Sequence, residues 1–163
     1  NMLVLAGMGT LAECRAMGVR TIADGTAFCK CRLLFAAQGG DASCIDDPGK
    51  LRKAAYRYDL TARTDGYIVK NDVEKIGNAS VLLGAGRLKK EDAIDFAAGI
   101  VMHKKLGSNV RSGDAICTFY ADDPALFMAA EEMYRSGLEI SDRKPELPPL
   151  VYARVTPEGV ERF

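Results

Sequence analysis

"GYIVKNDVEKIGNASVLLGAGR", residues 66–87, decides the fold class, because its hydrophobic period changes partway along. Gly66 to Lys70 is a short, partly β-branched apolar run and reads as a strand. Asn71 followed three residues later by Glu74 has the spacing of a capping box, in which side chain and backbone satisfy each other's free groups, so a helix opens there. Along that helix Val73, Ile76, Ser80 and Leu83 trace one side. Gly77, Val81 and Gly84 trace the adjacent side and let another backbone approach closely. Gly84-Ala85-Gly86 then reads as its stop.

Working outward, strands dominate. "YRYDLTA" alternates, with Tyr56, Tyr58, Leu60 and Ala62 on one side and Arg57, Asp59 and Thr61 on the other, the period of a half-buried strand. "GIVMHK" at Gly99–Lys104 and "AICTFYA" at Ala115–Ala121 are two more. A second helix opens at Asp123, with Pro124 at the favoured first position, shows Leu126, Ala130 and Met133 on one face and stops at Gly137. "LEI" follows. Beyond the extended "KPELPP" connection at Lys144–Pro149 comes an edge-like "VYARV". More strands than helices, joined by mixed connections, predict an α+β fold with two to three helices for residues 55–163.

Residues 1–54 differ in character. Thr10 and Glu13 form another capping box, and Leu11, Cys14, Gly18 and Ile22 recur at helical spacing up to Gly25. A second helix runs from Thr26, with Ala27, Cys31, Leu34 and Phe35 on one face, to Gly39-Gly40. The two predict a helical hairpin. "DDPGK" at Asp46–Lys50 is turn chemistry that separates this segment from the β-rich part. "NMLVLAG" begins with an apolar run and no capping residue ahead of it, as if an element were entered partway, so the chain reads as truncated.

Composition bounds the partners. With 22 Lys and Arg against 22 Asp and Glu the formal net charge is zero, which removes the electrostatic reason to expect nucleic acid or an anionic membrane. No apolar run reaches the eighteen or so residues of a membrane span, and the start lacks the basic region of a signal peptide. The reading is a soluble, cytoplasmic chain acting on small molecules or proteins. Its five cysteines, Cys14, Cys29, Cys31, Cys44 and Cys117, are expected to be reduced thiols, since a chain of this size and apolar content needs no disulfide staples.

Four groups invite a chemical reading. Gly84 and Gly86 beside Arg87, Lys89 and Lys90 have the makings of a phosphate cradle. Phosphates, however, are held at a helix N-terminus following a strand, whereas this glycine pair ends a helix. Lys89 stands where a third Rossmann glycine would, and no Gly-Lys-Ser/Thr appears. The cations read instead as a solvated face near the carbonyl end of a helix. Cys29, Cys31, Cys44 and His103 could supply zinc ligands, but their spacing fits no finger pattern, and Cys29 and Cys31 fall on different sides of a helix. His103 has no Gly-x-Ser-x-Gly elbow to serve, so it reads as structural. Glu91, Asp92 and Asp95 could be paired acid/base carboxylates, yet "LKKEDAID" has the composition of a loop entering a short helical turn. No catalytic, substrate, cofactor or metal residue is assigned on these grounds.

"LGSNVRSGDAICTFYA", Leu106–Ala121, sets two glycine turns six residues apart, with Val110 between them and an apolar strand after. This resembles the barrel-sandwich hybrid shared by lipoyl and biotinyl carriers. The Asp-Lys-Ala or Met-Lys-Met hairpin that carries a carrier's modified lysine is absent, which leaves a non-catalytic binding module on that scaffold as the alternative to an enzyme.

Taken together, "MLVLAG", "FAAQGGDASCIDDPGKL" and the stretch from "GYIVKNDVEKIG" through "LLGAGRLKKEDAID" and "GIVMHKKLGSNVRSGDAICTFYA" resemble one family, the pyrimidine-nucleoside phosphorylases, which include the thymidine phosphorylases. The likeness runs from Met2 over essentially the whole chain. Phe96 stands where the family usually has proline, and Arg15–Cys31 is richer in cysteine. The resemblance implies that residues 1–54 close a large α/β domain and that residues 55–163 form the C-terminal domain. It also implies a reaction in which phosphate, as co-substrate, attacks the anomeric carbon of a pyrimidine nucleoside to release the base and a (deoxy)ribose 1-phosphate. The family's Lys-His-Ser-x-Gly-Gly phosphate motif does not occur here, so the chain alone is expected to be inactive, with nucleoside and phosphate bound by the missing N-terminal part and the homodimer contact made by its helices. A nucleoside-monophosphate phosphorylase with a similar C-terminal half is a related reading.

Overall fold

A computed structural model describes all of residues 1–163. The chain divides into two compact units, Asn1–Arg52 and Lys53–Phe163.

The first unit is helical: α1 (Met2–Leu5), α2 (Leu11–Ala23), α3 (Thr26–Ala37), α4 (Ser43–Asp46) and a 3-10 turn, Pro48–Lys50. The capping box at α2 forms as its spacing requires. The Glu13 amide donates to Thr10 Oγ1 at 3.3 Å and the Thr10 amide donates to Glu13 Oε2 at 2.8 Å. These bonds to Thr10 hold the Glu13 carboxyl below its ordinary value. Gly25, at φ 79°, turns the chain from α2 into α3 in a conformation open to glycine at little strain. The Asp47 carboxylate accepts the Gly49 amide at 2.9 Å, which is the turn chemistry that the Asp-Pro-Gly run announces. Burial departs from the expected faces: Leu11, Ile22, Leu34 and Phe35 are exposed, and Cys14 alone is buried in this unit. A helical period marks which residues share a side; it does not supply the surface that covers them.

The second unit is α+β: β1 (Tyr56–Thr61), β2 (Gly66–Asn71), α5 (Val73–Ser80), β3 (Gly99–Met102), β4 (Asn109–Val110), β5 (Ala115–Ala121), α6 (Leu126–Ser136), β6 (Leu138–Ser141), β7 (Ala153–Thr156) and β8 (Gly159–Arg162). They form three small antiparallel sheets ordered β1-β5-β3, β4-β2-β6 and β7-β8. Leu60 pairs with Cys117 and Tyr58 with Phe119, so the apolar side of β1 is laid beside that of β5. Ile116, Cys117, Thr118 and Phe119 are all buried, which means that both faces of β5 are covered. Leu60, Ile68, Ala79, Leu83, Ala130 and Tyr134 complete one core, with Leu126 and Met133 of α6 packed against it. The rings of Phe119 and Tyr134 lie 5.9 Å apart, and those of Tyr58 and Phe127 stack at 5.7 Å.

Several boundaries shift for identifiable reasons. Asn71 does not cap α5, because it finishes β2 opposite Leu138. Asp72 caps instead, its Oδ1 accepting the amides of Glu74 and Lys75 at 3.1 and 3.2 Å. The inward side of α5 is Ile76 and Ala79, continued by Leu83 in the turn that follows, while Val73 is 82% exposed. Asp123 and Pro124 make the turn ahead of α6 rather than its first residues, with Asp123 Oδ1 accepting the Ala125 amide at 2.9 Å. "VYARV" is one arm of a hairpin whose second arm, β8, is too short and polar to show a strand period, and β4 is two residues long. Gly66 is obligatory: at φ 147° it lies so close to β6 that a Cβ would stand 2.5 Å from the Ser141 carbonyl oxygen.

Replacing Phe119 by alanine removes the ring between Tyr58 and Tyr134. The unfolding free energy of the second unit should fall by about 3–5 kcal/mol, read as a lower urea midpoint with an unchanged slope.

Candidate functional site

The glycine-rich turn can be followed atom by atom. After α5 the backbone widens into a π-type turn, Val81–Ala85, and Gly84 leaves it at φ 100°. The Gly84 carbonyl then accepts the Asp95 amide at 2.9 Å, closing the loop that carries Arg87, Lys89 and Lys90. Inside this loop Asp92 Oδ2 accepts the amides of Leu88 and Lys89 at 3.0 and 2.8 Å, and Asp95 Oδ1 accepts that of Ala97 at 2.9 Å. Amides that a phosphate would need are therefore occupied by the chain's own carboxylate. Asp92 and Asp95 staple the loop through its backbone amides, and Glu91 is exposed beside them. The loop ends in turns without the short helix expected of "LKKEDAID". Arg87, Lys89 and Lys90 project into solvent.

His103 lies just beyond β3, its amide bonded to the Ile116 carbonyl at 2.9 Å. Its Nε2 is 2.8 Å from Thr118 Oγ1, and Thr118 Oγ1 is 2.6 Å from Asp59 Oδ1. A threonine hydroxyl has one proton, and a carboxylate can only accept, so Thr118 donates to Asp59 and receives from His103 Nε2. The chain of bonds runs from the residue after β3 across β5 to β1. The Thr118 side chain is buried, and this relay satisfies its hydroxyl. Sequence reasoning reached a structural His103 but missed Asp59 and Thr118. The available signal was that both sit on the polar side of alternating strands; only the register makes them partners.

A second polar knot faces α6. Glu131 Oε1 takes Arg135 Nε at 2.6 Å, Glu131 Oε2 accepts the Tyr58 hydroxyl, and Arg63 stands 3.7 Å away. Arg135 also donates to the Thr61 carbonyl at 3.0 Å, at the point where the β1–β5 register slips between Leu60 and Thr61. Burial alone would raise the Glu131 carboxyl. The bonds from Tyr58 and Arg135 and the charges of Arg135 and Arg63 outweigh it and hold the group below its ordinary value. The Tyr58 hydroxyl is pushed up, chiefly by its bond to Glu131. Cys117 is pushed up to about 12, mainly by burial, which leaves its thiol protonated and inert at neutral pH.

All five cysteines are free thiols. Of the four residues weighed as zinc ligands, Cys29, Cys31 and Cys44 belong to the first unit and His103 to the second, and no group of three or more His, Cys, Asp or Glu side chains is placed to hold an ion. No helix is long and apolar enough to cross a membrane. Within the second unit these residues order strands and staple a loop, and Arg63, Glu131 and Arg135 of the second knot line an open cavity together with Met128 and Glu132.

Comparison with known proteins adds the remaining evidence. The family model described as "Pyrimidine nucleoside phosphorylase C-terminal domain" matches residues 67–141. The chain is 37% identical to the pyrimidine-nucleoside phosphorylase of Geobacillus stearothermophilus over 147 residues, 90% of this chain and 34% of that protein. It is 38% identical to the one of Staphylococcus epidermidis over 158 residues, 96% and 36% respectively. With the one of Bacillus subtilis it shares 43% identity over 123 residues, 75% and 28%. The chain thus spans about a third of the length of the curated relatives it matches.

Two outcomes follow from the polar knots. Thr118→Val keeps the shape but leaves Asp59 and His103 without their shared partner, and should destabilise the second unit by about 1–3 kcal/mol in urea unfolding. For Glu131, the folded carboxyl titrates below the unfolded one, whose ordinary value is 4.5. Its contribution is therefore present above that pH and lost as pH falls through the folded value. Glu131→Gln should lower stability at pH 7 and flatten the decline of the unfolding midpoint measured between pH 5 and pH 3.

Proposed function

The chain belongs to the pyrimidine-nucleoside phosphorylase family, and from that premise we propose that it works as the C-terminal portion of such an enzyme, supplying scaffold rather than reacting groups. The observation that carries this reading is the family match itself, which runs from Tyr67 in β2 to the end of β6 and takes in most of the packed core of the second unit. In the reaction, a phosphate oxygen bonds to the anomeric carbon of the nucleoside while the bond to the pyrimidine nitrogen breaks, its electron pair leaving with the base. The products are the free base and a pentose 1-phosphate. Phosphate is the co-substrate, and no resident cofactor is called for.

Residues 1–54 would close the large α/β domain of the enzyme, and residues 55–163 would form the wall against which the substrate-binding part closes. The absence of the Lys-His-Ser-x-Gly-Gly motif, the self-stapled loop at Arg87–Ala97 and the engaged state of His103 support this division of labour. The reading also makes the enzyme a cytoplasmic homodimer that meets its partner through helices outside this chain. We further infer that the two three-stranded sheets are the halves of a barrel-sandwich hybrid, on the strength of the paired glycine turns around Val110 and the burial of β5 on both faces.

The test is phosphorolysis. The full-length polypeptide that carries this chain should convert uridine or thymidine plus phosphate to base and pentose 1-phosphate, and residues 1–163 alone should give no turnover. Turnover by the isolated chain would place the reacting groups within it. Activity confined to nucleoside 5′-monophosphates would make the substrate a nucleotide instead.

A further inference from the structure

The segment Lys144–Pro149, "KPELPP", joins β6 to the hairpin β7–β8 and is stiff by composition. Pro145, Pro148 and Pro149 each fix their own φ at about −65°. Lys144, Leu147 and Pro148 each precede a proline and are held to extended backbone. Glu146 alone escapes both restrictions. The polar contacts from Lys144 to Phe163 stay inside that stretch: β7 and β8 pair only with each other, Arg154 Nη2 meets Glu161 Oε2 at 3.0 Å, and the Phe163 amide donates to the Tyr152 carbonyl at 3.1 Å.

Leu147 reaches the rest of the unit. Its Cδ2, Cδ1 and Cγ lie 2.8, 3.1 and 3.3 Å from the place where a Cβ on Gly107 would stand, so the leucine rests on the bare backbone of that glycine. Gly107 belongs to a turn in which the Ser108 amide donates to the Lys105 carbonyl at 2.9 Å, and its φ of 81° suits glycine there. The Gly107 amide donates to the Ile68 carbonyl of β2 at 2.7 Å, which fixes the turn to the sheet β4-β2-β6. The segment therefore passes from β6, one edge of that sheet, to the turn ahead of β4, the other edge. Two strand spacings, about 10 Å, separate the edges, and Asp142 to Leu147 covers that distance at about 3 Å per residue of polyproline-type backbone.

We propose that Lys144–Pro149 is a strap and Leu147 its latch. With the leucine seated on Gly107 the arm Lys144–Phe163 is held to the sheet, and with it released the arm, hairpin included, swings as one body about the bend Ser141–Arg143. The contact has the strength of a latch: Leu147 is 52% exposed, and a half-seated leucine biases a population without locking it. Stiffness supplies the rest, because a strap with few conformations loses little entropy on seating. At the bend the bonds are local, with Ser141 Oγ donating to Asp142 Oδ1 at 3.2 Å and accepting the Arg143 amide at 3.3 Å. The inference stands apart from the phosphorylase reading, since latch, turn and bend all lie in this chain.

Limited trypsin digestion of the whole 163-residue chain is the test. The bond after Arg143 lies in the bend and enters the protease only when the strap lifts, while the bond after Lys144 resists because proline follows it. Leu147→Ala should raise the initial rate of cleavage after Arg143 about tenfold, followed by mass spectrometry, with the urea midpoint of the second unit unchanged. Leu147→Met, which keeps the apolar reach, should be cut at the original rate. An unchanged rate in Leu147→Ala overturns the latch. A midpoint that falls along with faster cutting overturns it too, because Leu147 would then be part of the core. Movement as one body has its own readout in the nuclear Overhauser contacts between Val155 and Val160, which face each other in the hairpin. They should persist in Leu147→Ala; their loss would mean that the arm melts on release, and would overturn the swing.

Discussion

The burial of β5 on both of its faces is the constraint on which the second unit depends. A strand with hydrogen-bonded neighbours on each edge and apolar cover above and below must present side chains that fit two different surroundings. On one face Cys117, Phe119 and Ala121 meet the ring of Tyr134 and the side chains of α6. On the other, Thr118 sits between Asp59 and His103. A hydroxyl can lie buried there because both of its neighbours along the relay can bond to it, and an alternating pattern of side chains delivers them from strands on either side.

The second polar knot solves a different problem. Where the register slips beside Leu60, a backbone carbonyl at Thr61 would go without its regular ladder partner. Arg135 reaches it from α6, and Glu131 holds Arg135 in place while binding Tyr58 of the same strand. Helix and sheet are thereby joined by charge-assisted bonds at the irregularity itself. The loop from Gly84 to Ala98 follows the same economy on a smaller scale, with Asp92 and Asp95 satisfying amides that would otherwise face solvent or an anion. Both features tie polar side chains to the domain's own backbone.

The first unit is built on the opposite principle. Its helices are well started and well stopped, by Thr10 with Glu13 and by Gly25 and Gly39, but they have almost nothing of their own to pack on. Local rules form such helices; only neighbours outside them can supply a core. The contrast is between a unit with a closed core and one whose single buried residue is Cys14.

By itself the sequence determined whatever depends on near neighbours. The helix α2 and its capping box, α3 up to its glycine stop, the strands β1, β2, β3, β5 and β6, and the role of Gly84 and Gly86 as an exit rather than a cradle all follow from spacings of a few residues. So does the likeness to a family, carried by motifs in a fixed order. Tertiary structure alone decided what depends on distant residues. Asn71 gave up the cap because Leu138 paired with it, and Val73 was left in solvent because α5 turned Ile76 and Ala79 inward. Asp59, Thr118 and His103 became one relay because strand register, which no local period encodes, set them within bonding distance.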